Sequence, residues 1–214
     1  MTSQVLFSLI EDQALAMGNE SHALIPGQPA AGKSCGSCTL CCKVLGITAL
    51  QKPHGTWCKH CTPGKGCGIY PERPEECRRF SCMWLLEPEL GPEWKPDRSK
   101  IVLNLAPTGN GIVIRCDPGY PQAWRREPYY QKIHQWAFAA RPHDGTVIVL
   151  VGKEMTIIAP EGEFPLGEVD EKRDRIATEF AGSRLVGFRV VRMDESNQAS
   201  DRPEIDHPEL RETQ

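Results

Sequence analysis

Cysteine is the residue type whose number and spacing in this chain indicate chemistry. The chain has 214 residues and ten cysteines, and nine of the ten fall within 35–82. Two-residue spacings recur among them, and this spacing lets two thiolates converge on one ion. We therefore predict a metal centre whose ligands are Cys35, Cys38, Cys41, Cys42, Cys58, Cys61, Cys67, Cys77 and Cys82.

The start of the chain indicates the compartment in which these thiols lie. No Lys or Arg precedes Lys33, and Glu11 and Asp12 interrupt the first apolar run, so the start does not have the pattern of a secretory signal. No apolar run is long enough to span a membrane. We expect a cytoplasmic protein, in which thiols stay reduced and clustered cysteines are more typical of metal binding than of disulfides.

The cysteine spacing is compatible with Zn²⁺ and with iron, and it does not choose between them. Four Cys or His ligands close a zinc site, and four thiolates hold a [4Fe–4S] cluster, often with three of them in a Cys-x2-Cys-x2-Cys run. Cys35, Cys38 and Cys41 fit that run. The side chain of Cys42 is expected to point away from Cys41, toward a second site or into packing. Nine thiols would supply two four-ligand sites with one to spare, or one bridged cluster.

Histidines and charges of the same segment bear on this site. His54 and His60 are alternative ligands, although each is predicted to be a solvated loop residue. Seven Lys or Arg residues stand against three Glu within 35–82. Such cations lower the pKa of nearby thiols and offset the negative charge of a thiolate site.

The segment resembles a known family. The run CGSCTLCCK, followed by WCKHCTPGKGCGIYPERPEECRRFSCMW, is similar to the YkgJ-type cysteine-cluster family, which is described as a zinc- or iron-chelating domain. The resemblance does not extend into residues 101–214. Flagellin lysine N-methylases look similar in the same segment, but this chain has no glycine-rich nucleotide loop. The matching residues are Cys35, Cys38, Cys41, Cys42, Cys67, Ile69, Tyr70, Arg73, Pro74, Cys77, Arg78 and Phe80.

Three residues of this motif are expected to support the ligands. Tyr70 is predicted to be an apolar anchor beside the site. Arg73 precedes a proline that suits the start of a helix, and Arg78 is expected to donate to a sulfur. Cys116 stands apart from the motif, and its place in a strand pattern predicts a buried thiol in the core.

The elements that must position these residues indicate an α+β protein. We expect a loop-rich cysteine-cluster segment packed on a small antiparallel sheet with helices. The predicted regions are an N-terminal helix and linker (1–34), the cysteine cluster (35–100), an α+β region that can form one unit with it (101–193), and a disordered acidic tail (194–214). The predicted strands cover 101–106, 112–116, 146–151, 155–159 and 185–193, with a hairpin turn at Asn110-Gly111 and helices over 3–17, from Pro128 onward and over 169–181.

Composition and the motifs that are missing argue against some classes of function. The net charge of −3 argues against a general nucleic-acid binder. We see no catalytic triad, paired-carboxylate cleft or phosphate loop, which argues against an enzyme. Metal ions are the expected partners, and metal binding is the predicted function. The alternatives are an iron–sulfur redox or methylase-related enzyme, and a metal-stabilised module that binds another protein.

Overall fold

The computed structural model describes residues 28–106, 111–143, 145–171, 173–181, 184–193 and 199–200. The helix expected over 3–17 and the turn residue Asn110 lie outside these ranges, as does the tail except for Ala199–Ser200. Helices and sheets coexist in the described chain, which confirms the α+β class.

The cysteine-rich segment is built from very short elements. Its abundant Gly and Pro residues favour turns over long helices or strands. Helix α2 begins after Pro74, with acidic side chains in its first turn and basic ones in its last, an order that suits the helix dipole. The elements are α1 (Cys41–Val44), β1 (Cys61–Thr62), β2 (Gly66–Cys67), α2 (Glu75–Arg79), α3 (Met83–Leu86) and α4 (Pro96–Ser99), with 3-10 turns at Thr48–Leu50, Tyr70–Glu72 and Pro92–Trp94.

A five-stranded sheet follows, with strands in the order β3-β4-β5-β6-β7. The strands are β3 (Ile101–Leu105), β4 (Gly111–Cys116), β5 (Thr146–Val151), β6 (Glu154–Ala159) and β7 (Gly162–Glu168). The strand predictions for this region are confirmed. Neighbouring strands are antiparallel except β4 and β5, which are parallel. A parallel pair needs a long crossover, and helix α5 (Tyr129–Ala140) lies in that connection.

A second sheet contains β8 (Asp174–Ala181), β9 (Arg184–Met193) and β10 (Ala199–Ser200), in the order β10-β9-β8. The helix predicted over 169–181 is therefore wrong. Strand β8 pairs with β9 along its whole length. Its β-branched residues Ile176 and Thr178 suit a pleated surface, and pairing with a long partner strand outweighs the helical preference of the acidic and basic residues around them.

The main core lies between α5 and the five-stranded sheet. Ile133, Trp136, Ala137 and Ala140 form the buried face of α5, as their spacing predicts. Cys116 is 1% exposed in this core, so the prediction of a buried thiol is confirmed. Side chains from the end of the cysteine-rich segment, including those of α3, belong to the same apolar cluster. The two regions therefore pack as neighbours with a shared core.

Candidate metal centre

Main-chain hydrogen bonds link Cys42 to Cys58, and Cys58 to Cys61. The Cys58 N–H donates to the carbonyl of Cys42 at 3.0 Å, and the Cys61 N–H donates to the carbonyl of Cys58 at 3.0 Å. Strands β1 and β2 place Cys61 directly opposite Cys67. The turn between these strands contains Gly64 at a φ of 74°, a conformation that glycine adopts without strain.

The thiols themselves interact within this group. Cys42 forms side-chain hydrogen bonds with Cys41 and with Cys61, and the bond with Cys41, followed by burial, raises the pKa of Cys42 far above its ordinary value. Burial raises the pKa of Cys61 to about 12, and the charge of Cys42 adds to the effect. Burial also raises the pKa of Cys77, with further contributions from the charges of Cys42, Cys58 and Cys67. We call Cys41, Cys42, Cys58, Cys61, Cys67 and Cys77 the Lys52 thiol group.

Lys52 gives this group its name because its ammonium is buried beside the sulfurs. The residue is 8% exposed, and its Nζ donates to the carbonyls of Lys43 at 3.1 Å, of Leu45, and of Pro53 at 3.1 Å. Lys43 and Leu45 lie at the end of α1, where carbonyls lack helical partners. Burial lowers the pKa of Lys52, while the charges of four surrounding thiols, Cys58 foremost, act in the opposite direction.

The remaining thiols of the segment, Cys35, Cys38 and Cys82, form a separate set that we call the Cys82 thiol group. The Cys38 N–H donates to the carbonyl of Cys35 at 2.9 Å. Cys38 and Cys82 pack against one apolar cluster that includes Leu40 and Val102. Burial, followed by the charges of Cys35 and Cys38, raises the pKa of Cys82 to about 11.

Two expectations about the first cysteine run change in light of this arrangement. The contacts of Cys38 are with Cys35, whereas those of Cys41 are with Cys42, so the structure divides the triplet between the two groups. The expectation that Cys42 points away from Cys41 is wrong, because the two thiols share a hydrogen bond. Both residues lie in α1, where consecutive side chains are separated by about 100° rather than by the opposition of a strand.

The thiols are gathered but do not converge on one point. Among the residues that the structure describes, no group of three or more His, Cys, Asp or Glu side chains is arranged to hold a metal ion. All ten cysteines are free thiols. The donor chemistry fits Zn²⁺ or iron, for which thiolates are preferred soft ligands.

Arg73 and Arg78, which are expected from the sequence to support the ligands, donate to main-chain carbonyls. The Arg78 guanidinium donates to the carbonyls of Arg73 at 2.8 Å and of Pro71 at 3.2 Å, which ties the start of α2 to the turn before it. Tyr70 is 62% exposed, so it is not a buried anchor. Its ring is covered on one face by the Arg73 guanidinium, 3.8 Å from the ring centroid.

His54 is engaged away from the thiols. Its Nδ1 accepts from the N–H of Gly46 at 3.1 Å, and its Nε2 lies 3.6 Å from Oε1 of Glu171. Burial lowers the pKa of His54, although the Glu171 charge opposes this. Arg115 on β4 donates to both oxygens of Glu171, at 2.8 and 2.6 Å. Glu171 therefore joins His54 of the cysteine-rich segment to Arg115 of the large sheet.

Sequence reasoning missed the residues that organise the site by charge. In the sequence, Lys52 is one of seven Lys or Arg residues within 35–82. The pair of Lys43 with Asp117, at 2.5 Å, joins α1 to the end of β4. A charged residue inside an apolar run, such as Arg115 within β4, is the one local signal that indicates such a contact.

Comparison with known proteins identifies no relative. No protein-family model, no curated protein and no solved structure matches the chain. Of the helices in the described part of the chain, none has the length and apolar character needed to cross a bilayer.

Proposed function

We propose that this protein binds zinc or iron through the thiolates of its cysteine-rich segment. The observation that carries the proposal is the Lys52 thiol group, in which six thiols interact with one another and a buried ammonium lies beside four of them. Four thiolates around Zn²⁺, or around a [4Fe–4S]²⁺ cluster, leave a net charge of about −2. A buried lysine offsets part of that charge where solvent does so poorly.

The titration of the thiols supports a role for metal. The hydrogen bond with Cys41, followed by burial, raises the pKa of Cys42, and burial, followed by the charges of other thiols, raises the pKa of Cys61 and Cys77. Without metal these three thiols stay protonated at neutral pH. A bound metal ion displaces those protons, because the thiolate is the ligand. Cys42, Cys61 and Cys77 would therefore become thiolates on binding a cation.

The resemblance to the YkgJ-type family supports the same proposal, because it implies a chelating domain for the motif that contains these thiols. Zn²⁺ and a [4Fe–4S] cluster can each be held by four thiolates, so the proposal covers both metals. A catalytic step is not part of the proposal.

The test is the metal content of the full chain purified without oxygen. Its visible absorption is recorded, and zinc, iron and acid-labile sulfide are quantified per chain. Brown protein with about equal iron and sulfide identifies an iron–sulfur site, and colourless protein with bound zinc identifies a zinc site. Metal-free protein that remains folded contradicts the proposal.

Two variants make this test specific to the thiol group. Cys58→Ser, in the middle of the Lys52 thiol group, is expected to lower the metal content. Cys116→Ser is the matched control, because Cys116 lies in the apolar core and its sulfur contacts the carbonyl of Tyr120. Equal metal loss in both variants would assign the effect to general damage and not to ligation.

A further inference from the structure

The short hairpin of β1 and β2 pairs two cysteines across its strands. Cys61 stands directly opposite Cys67 in the antiparallel register. The hairpin turn is tied to the residues before α1, because the Gly64 N–H donates to Oγ1 of Thr39 at 3.0 Å. The two thiols are therefore held opposite each other by the backbone, independently of their titration.

The hydrogen bonds of the hairpin show which kind of pair this is. In an antiparallel ladder, directly opposite residues alternate between hydrogen-bonded and non-hydrogen-bonded pairs. The Gly68 N–H donates to the carbonyl of His60 at 2.7 Å, which makes His60 and Gly68 a hydrogen-bonded pair. Cys61 and Cys67 are the next pair along the strands, so they form a non-hydrogen-bonded pair.

A non-hydrogen-bonded pair brings its side chains close enough for a disulfide. The two Cα atoms of such a pair lie about 4.5 Å apart, and both side chains leave the same face of the ladder. A disulfide needs Cα atoms about 4.4–6.8 Å apart and Cβ atoms about 3.5–4.5 Å apart. Cβ atoms across a ladder lie about 4.5–5.5 Å apart, closest in pairs of this kind, so a small approach of the strands closes the bond. A disulfide made under such strain is easily reduced again.

The exposure of the two thiols sets how fast they can react. Both are half-buried, so a small oxidant can reach them. Burial raises the pKa of Cys61 to about 12, and the thiolate is the attacking species in disulfide exchange. The exchange is therefore slow at neutral pH and needs a long incubation.

We propose that Cys61 and Cys67 form a reversible disulfide when the metal-free chain meets a low-molecular-weight disulfide, with oxidised glutathione as the probe. One protein thiolate attacks a glutathione sulfur, which breaks the glutathione disulfide and releases one glutathione thiol. The other protein thiolate then attacks the mixed disulfide and releases the second. The protein thiols lose two protons and two electrons, and the two glutathione thiols receive them. Transient, redox-sensing disulfides are the kind found in reducing compartments.

The disulfide would withdraw two donors from metal. With the bond formed, the Lys52 thiol group keeps only Cys41, Cys42, Cys58 and Cys77 as free thiols. This consequence rests on the proposed function, whereas formation of the disulfide itself needs no metal. Oxidation would then act as a control on the metal content of the group.

Peptide mapping of the full chain tests the bond. The metal-stripped chain is incubated with oxidised glutathione, its remaining thiols are alkylated, and it is digested with trypsin. Trypsin isolates Cys61 in peptide 60–65 and places Cys67 in peptide 66–78. A disulfide-linked pair of these two peptides is the expected product, and a reducing agent should separate it.

Two matched variants assign the bond, because peptide 66–78 also contains Cys77. The link should be lost in Cys67→Ser and kept in Cys77→Ser. Fragmentation of the linked wild-type peptides should place the bond on Cys67, which tests the assignment even if a variant does not fold. A link that survives in Cys67→Ser overturns the assignment, as does a link of Cys61 to Cys58 or a stripped chain that forms no link.

A parallel incubation of the Zn²⁺-loaded chain separates this inference from the proposed function. The link should be absent while the ion stays bound, and equal rates in the loaded and stripped chains would overturn the competition with metal. A chain that binds metal but forms no link when stripped overturns the disulfide and leaves the proposed function standing. A chain that forms the link but binds neither zinc nor iron overturns the proposed function and leaves the disulfide standing.

Discussion

The cysteine-rich segment and the sheet region that follows it are held together by different forces. In the sheet region, Ile101, Ile133 and Ile157 are all 0% exposed, and strands pair over five or more residues. In the segment from 35 to 82, the elements are at most five residues long, and most thiols are only half-buried. Its contacts include those of lysines with carbonyls and of thiols with one another. Apolar burial stabilises the sheet region. The cysteine-rich segment has the composition of a region that a bound cation would stabilise.

The largest effect is expected from removal of the metal. Structural zinc contributes about 10–16 kcal/mol of binding free energy in small zinc domains, more than the net stability of most folded domains. We expect a strong chelator to abolish amide-hydrogen protection within 35–82 while strands β3 to β7 stay protected. Hydrogen exchange with and without chelator measures this. Equal loss of protection in both regions would contradict the view that different forces stabilise them. Unchanged protection in both regions would contradict a structural metal.

A cavity in the sheet region is expected to destabilise the sheet without releasing the metal. Trp136 is 1% exposed, and its ring centroid lies 5.1 Å from that of Trp94. Trp136→Ala is expected to lower the free energy of unfolding of the sheet region by about 3–5 kcal/mol, with metal content per chain unchanged. Denaturant unfolding and metal analysis of the same sample test this.

The control for this cavity lies on the same helix. Phe138 is 72% exposed, and Phe138→Ala should change stability by only about 0.5 kcal/mol. If Trp136→Ala releases the metal as readily as it unfolds the sheet, the two regions depend on a single source of stability.

The same contrast explains which parts of the molecule the sequence predicts. Strands β3 to β6 and the buried face of α5 follow from local periodicity, because apolar burial repeats at the spacing of each element. The division of the thiols does not, because it depends on residues far apart in the chain, such as Cys82 and Cys35, whose charge raises the pKa of Cys82. The exposure of Tyr70 and the pairing of Lys52 with three carbonyls are also tertiary outcomes. The local sequence pattern predicts the elements that pack by apolar burial. It does not predict the side chains that are placed by charge interactions.

Replacement of Lys52 tests whether its buried ammonium contributes to metal binding in the cysteine-rich segment. Lys52→Met keeps most of the side-chain volume but leaves the carbonyls of Lys43, Leu45 and Pro53 without their donor. Unpaired buried acceptors cost about 2 kcal/mol. We expect weaker metal binding, measured by competition with a chelator of known affinity, because the charge of the thiolates is no longer offset.

Lys65→Met is the matched control for this variant, since Lys65 is an exposed lysine of the same segment. It should leave metal binding unchanged. Equal effects in the two variants would mean that the net charge of the segment matters and that the position of Lys52 does not.

The smallest effect is expected at the contact of Glu171 with Arg115. Burial alone would raise the pKa of Glu171, but the hydrogen bond and charge of Arg115 lower it to a net value below the ordinary 4.5. A carboxyl whose pKa is depressed by folding stabilises the fold above its ordinary pKa, and this contribution is lost as the pH falls through the depressed value. Glu171→Gln is expected to cost about 1 kcal/mol at neutral pH, because the pair is partly solvated.

Urea unfolding of the metal-stripped chain between pH 7 and acid follows this contribution, since both partners belong to the sheet region. The stability difference between wild type and Glu171→Gln should shrink as the pH falls below 4.5. Glu154→Gln, which removes an exposed carboxylate on β6, should show no such difference at any pH. A constant gap for Glu171→Gln would mean that the side chain stabilises by shape and not by charge, and that the sheet region owes even this contact to packing.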